Sequence, residues 1–73
     1  MISVISAINC GAKRLIRTSN TPKLDSEILL SSVLKKTRME LIAFDHSNLT
    51  RNQILQFSSY LCRREKYEPI SYI

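Results

Sequence analysis

The groups in this chain that could do chemistry are two thiols, one imidazole and a close pair of carboxylates. Cys10 and Cys62 stand 52 positions apart. That spacing fits neither a disulfide framework nor zinc, which takes four ligands in short-spaced pairs; the only other ligand of that kind is His46. Two free thiols are the expectation. Cys10 lies among Lys13, Arg14 and Arg17, where a depressed pKa would make a thiol reactive, although an idle surface thiol is the commoner outcome. His46 sits in the polar run Asp45-His46-Ser47-Asn48 with no Ser, Cys or acid in helical register, so it is poorly placed as a general base. Asp25 and Glu27 resemble an acid–base pair. Two residues apart on a helix, however, they point roughly 160° away from one another. They suit the positive end of a helix dipole better. One glycine cannot build a glycine-rich phosphate or cofactor loop, and nothing brings Ser, His and Asp together. The expectation is no catalytic residue, no cofactor site and no metal site within the chain.

Those groups must be positioned by a single small domain, since 73 residues make one domain at most. With 44% hydrophobic residues, one Gly and two Pro, the composition argues for a folded helical domain and against disorder. No apolar run approaches the roughly 18 residues of a membrane helix. The start, Met1-Ile2-Ser3-Val4-Ile5-Ser6-Ala7-Ile8, has a signal peptide's apolarity, but its cations follow the apolar run where a signal peptide's precede it. It reads as a helix of a cytoplasmic protein. The formal charge of +5, from 11 Lys and Arg against six acids, suits an acidic partner. It equally suits a solvated surface, and decides nothing alone.

The pattern predicts four helices. The first runs from about Ser3 to Thr18, with Val4, Ile5, Ile8, Ala12, Leu15 and Ile16 on one arc and Lys13, Arg14 and Arg17 opposite. Gly11 borders that arc, and its cost of about 1 kcal/mol against alanine would be offset by a close helix–helix approach. Thr21 is a candidate N-cap before Pro22 at the first helical position. From there to about Lys36 the chain is apolar around most of the helix, through Leu24, Ile28, Leu29, Leu30, Val33 and Leu34, with a polar wedge at Asp25, Ser32 and Lys36. Such a helix is surrounded by neighbours. Leu30 and Leu34 are expected to be almost solvent-free.

Thr37-Arg38-Met39-Glu40 is a capping box that starts a short third helix. Thr50-Arg51-Asn52-Gln53 is a second one, with Leu49 and Ile54 placed as a hydrophobic staple. It opens a fourth helix to about Lys66, on which Ile54, Leu55, Phe57, Ser58, Leu61 and Cys62 share a face. Cys62 is therefore expected to face the core. Arg63 and Arg64 diverge by about 100°, so one can brace the helix end while the other faces solvent or a partner. The chain then closes on Pro69-Ile70-Ser71-Tyr72-Ile73, an apolar, strand-like run that needs backbone partners. It reads as a helical domain over 1–66 and, over 67–73, a linker to a catalytic domain further on.

Several stretches, in order, resemble one family. Asp25-Ser26-Glu27-Ile28-Leu29-Leu30 is similar to the D-A-E-[IL]-L-L segment near the start of the HemK/PrmC proteins, which methylate the Gly-Gly-Gln glutamine of peptide chain release factors. The likeness continues through Leu41-Ile42-Ala43-Phe44, Leu49-Thr50 with Gln53, Arg63-Arg64, Glu68-Pro69-Ile70 and Tyr72-Ile73. The first helix matches in length and pattern only.

The resemblance implies an all-α N-terminal domain, a small orthogonal or irregular bundle of four to five helices, any extra break falling in the first or third element. It implies a longer, monomeric parent: a protein-(glutamine-N5) methyltransferase whose C-terminal catalytic domain binds S-adenosylmethionine and carries Asn-Pro-Pro-Tyr. Neither that motif nor a cofactor loop occurs here, so no catalytic residue carries over and the domain's role is to contact the release factor. Lys13, Arg14 and Arg17, with Arg63 or Arg64, are the candidate contacts. The rival reading is a basic helical nucleic-acid-binding module; against it, the second helix is too apolar for a groove and the cations are scattered. A purely structural dimerisation domain is a third possibility.

Overall fold

A computed structural model describes residues 2–66. Its helices are α1 (Val4–Leu15), α2 (Pro22–Leu34), α3 (Arg38–Ala43) and α4 (Arg51–Glu65). Four is the count among the described residues, and neither α1 nor α3 is broken in two. The expected linker over 67–73 lies outside the described residues.

Local chemistry sets the helix ends. At α1 the Ser6 N–H donates to Ser3 Oγ at 3.2 Å. Both expected capping boxes form. Thr37 Oγ1 accepts from the Glu40 N–H while Glu40 Oε1 accepts from the Thr37 N–H, and Thr50 and Gln53 do the same. Each box satisfies two backbone donors that a helix start leaves open. Leu49 is buried and Ile54 lies partly buried against the core, as a staple requires. Pro22 opens α2 as expected, but Thr21 does not cap it through its side chain. Its hydroxyl lies 3.4 Å from Asp25 Oδ1 instead. Lys35 ends α2 in the left-handed region at φ 55°, and the N–H groups of Lys35 and Lys36 both turn back to the Ser31 carbonyl.

The core gathers Val4, Ala7, Ile8 and Leu15 of α1, Leu29, Leu30 and Val33 of α2, Leu41 of α3, and Phe57 and Leu61 of α4. The central place of α2 is visible in its acids. Asp25 and Glu27 project from nearly opposite sides and are both buried, at 7% and 8% exposure. The expected polar wedge at Asp25 is thus covered, because α4 lies over it. Gly11 is buried beneath α2 and α4. A Cβ built there would meet Ser26 Oγ in a hard clash, with Phe57 Cζ at 2.9 Å and Leu61 Cδ2 at 3.2 Å. The close approach inferred from the sequence is real.

Four burial expectations are corrected. Leu34 is half-buried, because it lies at the last turn of α2 where neighbours thin out. Ile16 is 63% exposed, because α1 stops at Leu15 and the Thr18 and Ser19 N–H groups turn back onto the Leu15 carbonyl. Leu55 and Cys62 are exposed. The buried stripe of α4 is only the Phe57–Leu61 line, and one residue further on is rotated about 100° out of it.

One feature was not foreseen. The loop after α3 pairs with the start of the chain through an isolated antiparallel bridge, Ser3 to Asn48. The Val4 and Ile5 N–H groups donate to the Ser47 and Asp45 carbonyls at 2.8 and 2.9 Å, and the Leu49 N–H donates to Ile2 O at 2.8 Å. Helix α1 therefore has two of its open N-terminal donors satisfied from across the chain.

Candidate interaction surface

The five candidate cations divide by what surrounds them. Lys13 of α1 and Arg17, in the turn just after it, are exposed. Arg14, on the same helix, leans onto α4: its Nη2 donates to Glu65 Oε1 at 2.6 Å and to Cys62 Sγ at 3.3 Å, and its Nη1 lies 3.4 Å from Ser58 Oγ. The hydrogen bond to Glu65 is the main reason its pKa stands above the ordinary arginine value, with partial burial opposing it. Arg64 reaches from α4 to α2, its Nε 3.3 Å from Asp25 Oδ2. That oxygen also accepts from Ser19 Oγ. The pair is largely enclosed, with side chains 17% and 9% exposed, so Arg64 is the brace anticipated for the end of α4. Arg63 beside it is half-buried. Sequence reasoning grouped these cations by type; the fold turns Lys13 and Arg17 outward and uses Arg14 and Arg64 as inter-helix ties.

The remaining chemistry-bearing residues do not converge. Both thiols are free and exposed. His46 Nε2 lies 3.6 Å from Asp45 Oδ1 with its side chain 91% exposed, in open solvent. Glu27 pairs with Arg38 of α3 at 3.0 Å, so the two acids of α2 serve two different ion pairs on two sides. Among the described residues no group of three His, Cys, Asp or Glu could hold a metal ion, and no helix is long and apolar enough to cross a membrane.

Two cavities with mainly apolar linings open on the surface. One, of ≈ 160 Å³, lies between α1 and α4 over Ala7, Phe57 and Leu61, with Cys10 and Arg14 at its edge. The other, of ≈ 300 Å³, lies over Leu34 and Leu41, walled by Phe44 and rimmed by Lys36 and Glu40. Sequence reasoning missed the second. Its signal was present in and just after α3, where Met39, Leu41, Ile42, Ala43 and Phe44 supply more apolar side chains than a six-residue helix can bury.

Relatives agree on the wider identity. The chain is 42% identical over its whole length to a release factor glutamine methyltransferase of Coxiella burnetii, of which it covers 26%. It is 47% identical over 60 residues, 82% of the chain, to that of Buchnera aphidicola subsp. Baizongia pistaciae, covering 22% of it. To the Escherichia coli protein of the same name it is 36% identical over 58 residues, 80% of the chain and 21% of the relative. The chain thus spans about a quarter or less of the relatives it matches. No solved structure gives a significant match. Residues 6–73 match the PrmC N-terminal domain, a match that takes in most of α1, all of α2, α3 and α4, both capping boxes and the covered acids of α2, and the chain belongs to that family.

Proposed function

We propose that this chain is the N-terminal, release-factor-binding domain of a protein-(glutamine-N5) methyltransferase, acting in the cytoplasm as part of a monomer and contributing no catalytic group. The observation that carries this reading is the naming of its relatives as release factor glutamine methyltransferases, joined to a family match over 6–73. S-adenosylmethionine, as the methyl donor of such an enzyme, does not fit the described residues. The one glycine is buried under Ser26, Phe57 and Leu61 and leaves no cradle for a cofactor. The cofactor site and the target glutamine's pocket belong to a catalytic domain that this domain would accompany.

Release-factor contact on this reading falls to the outward cations Lys13 and Arg17, with Arg14 and Arg63 at the adjoining α1–α4 edge, Arg64 serving as the brace. Charges at the rim of an interface mainly set association rate and salt dependence. The test is binding of this chain to an intact release factor and, separately, to duplex DNA. Preferential binding of the release factor is expected. Lys13→Glu with Arg17→Glu should slow association and flatten its salt dependence. A preference for the duplex would replace this reading with the nucleic-acid-binding one, which the net charge of +5 would favour.

A further inference from the structure

Three of the six exposed large hydrophobic side chains among the described residues lie on or beside α3: Met39 at 80%, Ile42 at 60% and Phe44 at 57% exposure. Phe44 differs from the other two because it walls the ≈ 300 Å³ cavity whose apolar surface comes from Leu34, Leu41 and Val4. That volume sits at the bottom of the range for small-molecule sites, about 300–1,000 Å³, and suits one bulky side chain better than a cofactor. The rim carries Lys36 and Glu40, but the two are not equivalent. The Glu40 carboxylate is committed to the Thr37 N–H, whereas Lys36, like its neighbour Lys35, is exposed and makes no ion pair among the described residues. An apolar cavity with an available cation at its edge matches an apolar side chain that has a carboxylate close by.

We infer that this cavity is a docking point for the release factor, taking one leucine- or phenylalanine-sized side chain against Phe44 while Lys36 and Lys35 hold an adjacent carboxylate. The inference rests on the proposed function and assigns it a surface distinct from the α1–α4 edge. Interface energy concentrates in a few apolar anchors seated in pockets, with charged groups around them. Met39 lies about 160° from Leu41 on a helix of 100° per residue, so it stands outside the cavity and serves as a control.

The experiment measures binding of this chain to an intact release factor of Coxiella burnetii by titration calorimetry, with a thermal melt and a sedimentation run for every variant. Phe44→Ser should weaken binding about tenfold or more, as loss of an interface anchor does. Lys36→Glu should weaken it with a reduced salt dependence, and Met39→Ser should leave it within about twofold. Lys36 is exposed, so its variant gives a reading even if Phe44→Ser unfolds. If the unsubstituted chain binds and both cavity variants bind equally well, the cavity is not the docking point while the proposed function stands. If Met39→Ser weakens binding as much as Phe44→Ser, the contact is diffuse and the inference is overturned. A dimer of the chain that Phe44→Ser dissociates would assign the cavity to a second copy. No binding by the unsubstituted chain would defeat the proposed function and this inference with it.

Discussion

Gly11 shows how much one residue can decide in this molecule. Its backbone lies where α1 comes closest to α2 and α4, and the atom that a Cβ would strike, Ser26 Oγ, is held in a buried hydrogen bond to the Ile8 carbonyl at 2.9 Å. A hydroxyl fixed in this way cannot swing aside at low cost. Gly11→Ala should therefore destabilise the domain although alanine favours the helix by about 1 kcal/mol, because overpacking costs about 1–3 kcal/mol. A lowered melting midpoint by circular dichroism is expected, and a raised one would show that α1 can move off its neighbours freely. The thiols make a complementary point. Helical phase on α4 placed Cys62 toward the core, yet it is exposed and accepts from Arg14 across the seam. Which residues share an arc is fixed by the sequence, but how much of that arc a neighbour covers is not.

At the scale of the element, α3 is the helix most dependent on its start signal. It has six residues and one buried side chain, Leu41, so its capping box supplies much of what holds it. The hydrogen bond from the Thr37 N–H is the largest influence lowering the pKa of Glu40, with a further contribution from Lys36. A carboxyl group whose folded pKa is depressed stabilises the fold above its unfolded pKa, and that contribution is lost as pH falls through the folded value. Glu40→Gln keeps an acceptor for the same N–H but removes the charge. The parent should therefore melt above Glu40→Gln near neutral pH, and the gap should close as pH drops below the ordinary glutamate range. A gap that held constant into acid would mean that the box works without its charge. The loop following α3 has a second task, since its carbonyls at Asp45 and Ser47 take the first donors of α1.

The whole molecule is a small bundle organised around α2, whose acids are tied on one side to α4 by Arg64 and on the other to α3 by Arg38. Small domains bury a modest fraction of their surface, and native stabilities are only about 5–15 kcal/mol. Leu30 is fully buried at the middle of the core. Leu30→Ala should cost about 2–5 kcal/mol, a large share of that total, and broaden or abolish the cooperative melt. A variant melt that overlays the parent would remove α2 from the centre of the bundle. The same arrangement sorts the five candidate cations, adding to the outward cations and the helix-end brace expected from the sequence the partners that only the fold supplies. Lys13 of α1 and Arg17 just after it point outward, Arg14 crosses to α4, and Arg64 is spent on α2.

The sequence by itself determined what local physics controls. The four helices, both capping boxes, Pro22 at the start of α2 and the staple at Leu49 and Ile54 follow from residue type and spacing within a few positions, and so were legible. The ordered motifs from Pro22 onward also carried the family, which the relatives support. Tertiary structure decided everything that depends on which surfaces meet. It buried Asp25 and Glu27 by supplying an arginine to each from a different helix, left Cys62 and Leu55 in solvent because α4 touches the bundle along one narrow line, and stitched the chain's start to the 45–49 loop through backbone groups that have no side-chain signature. It also left α3 with an apolar cavity that no neighbour among the described residues fills, since a helix of six residues has room to bury Leu41 and little else.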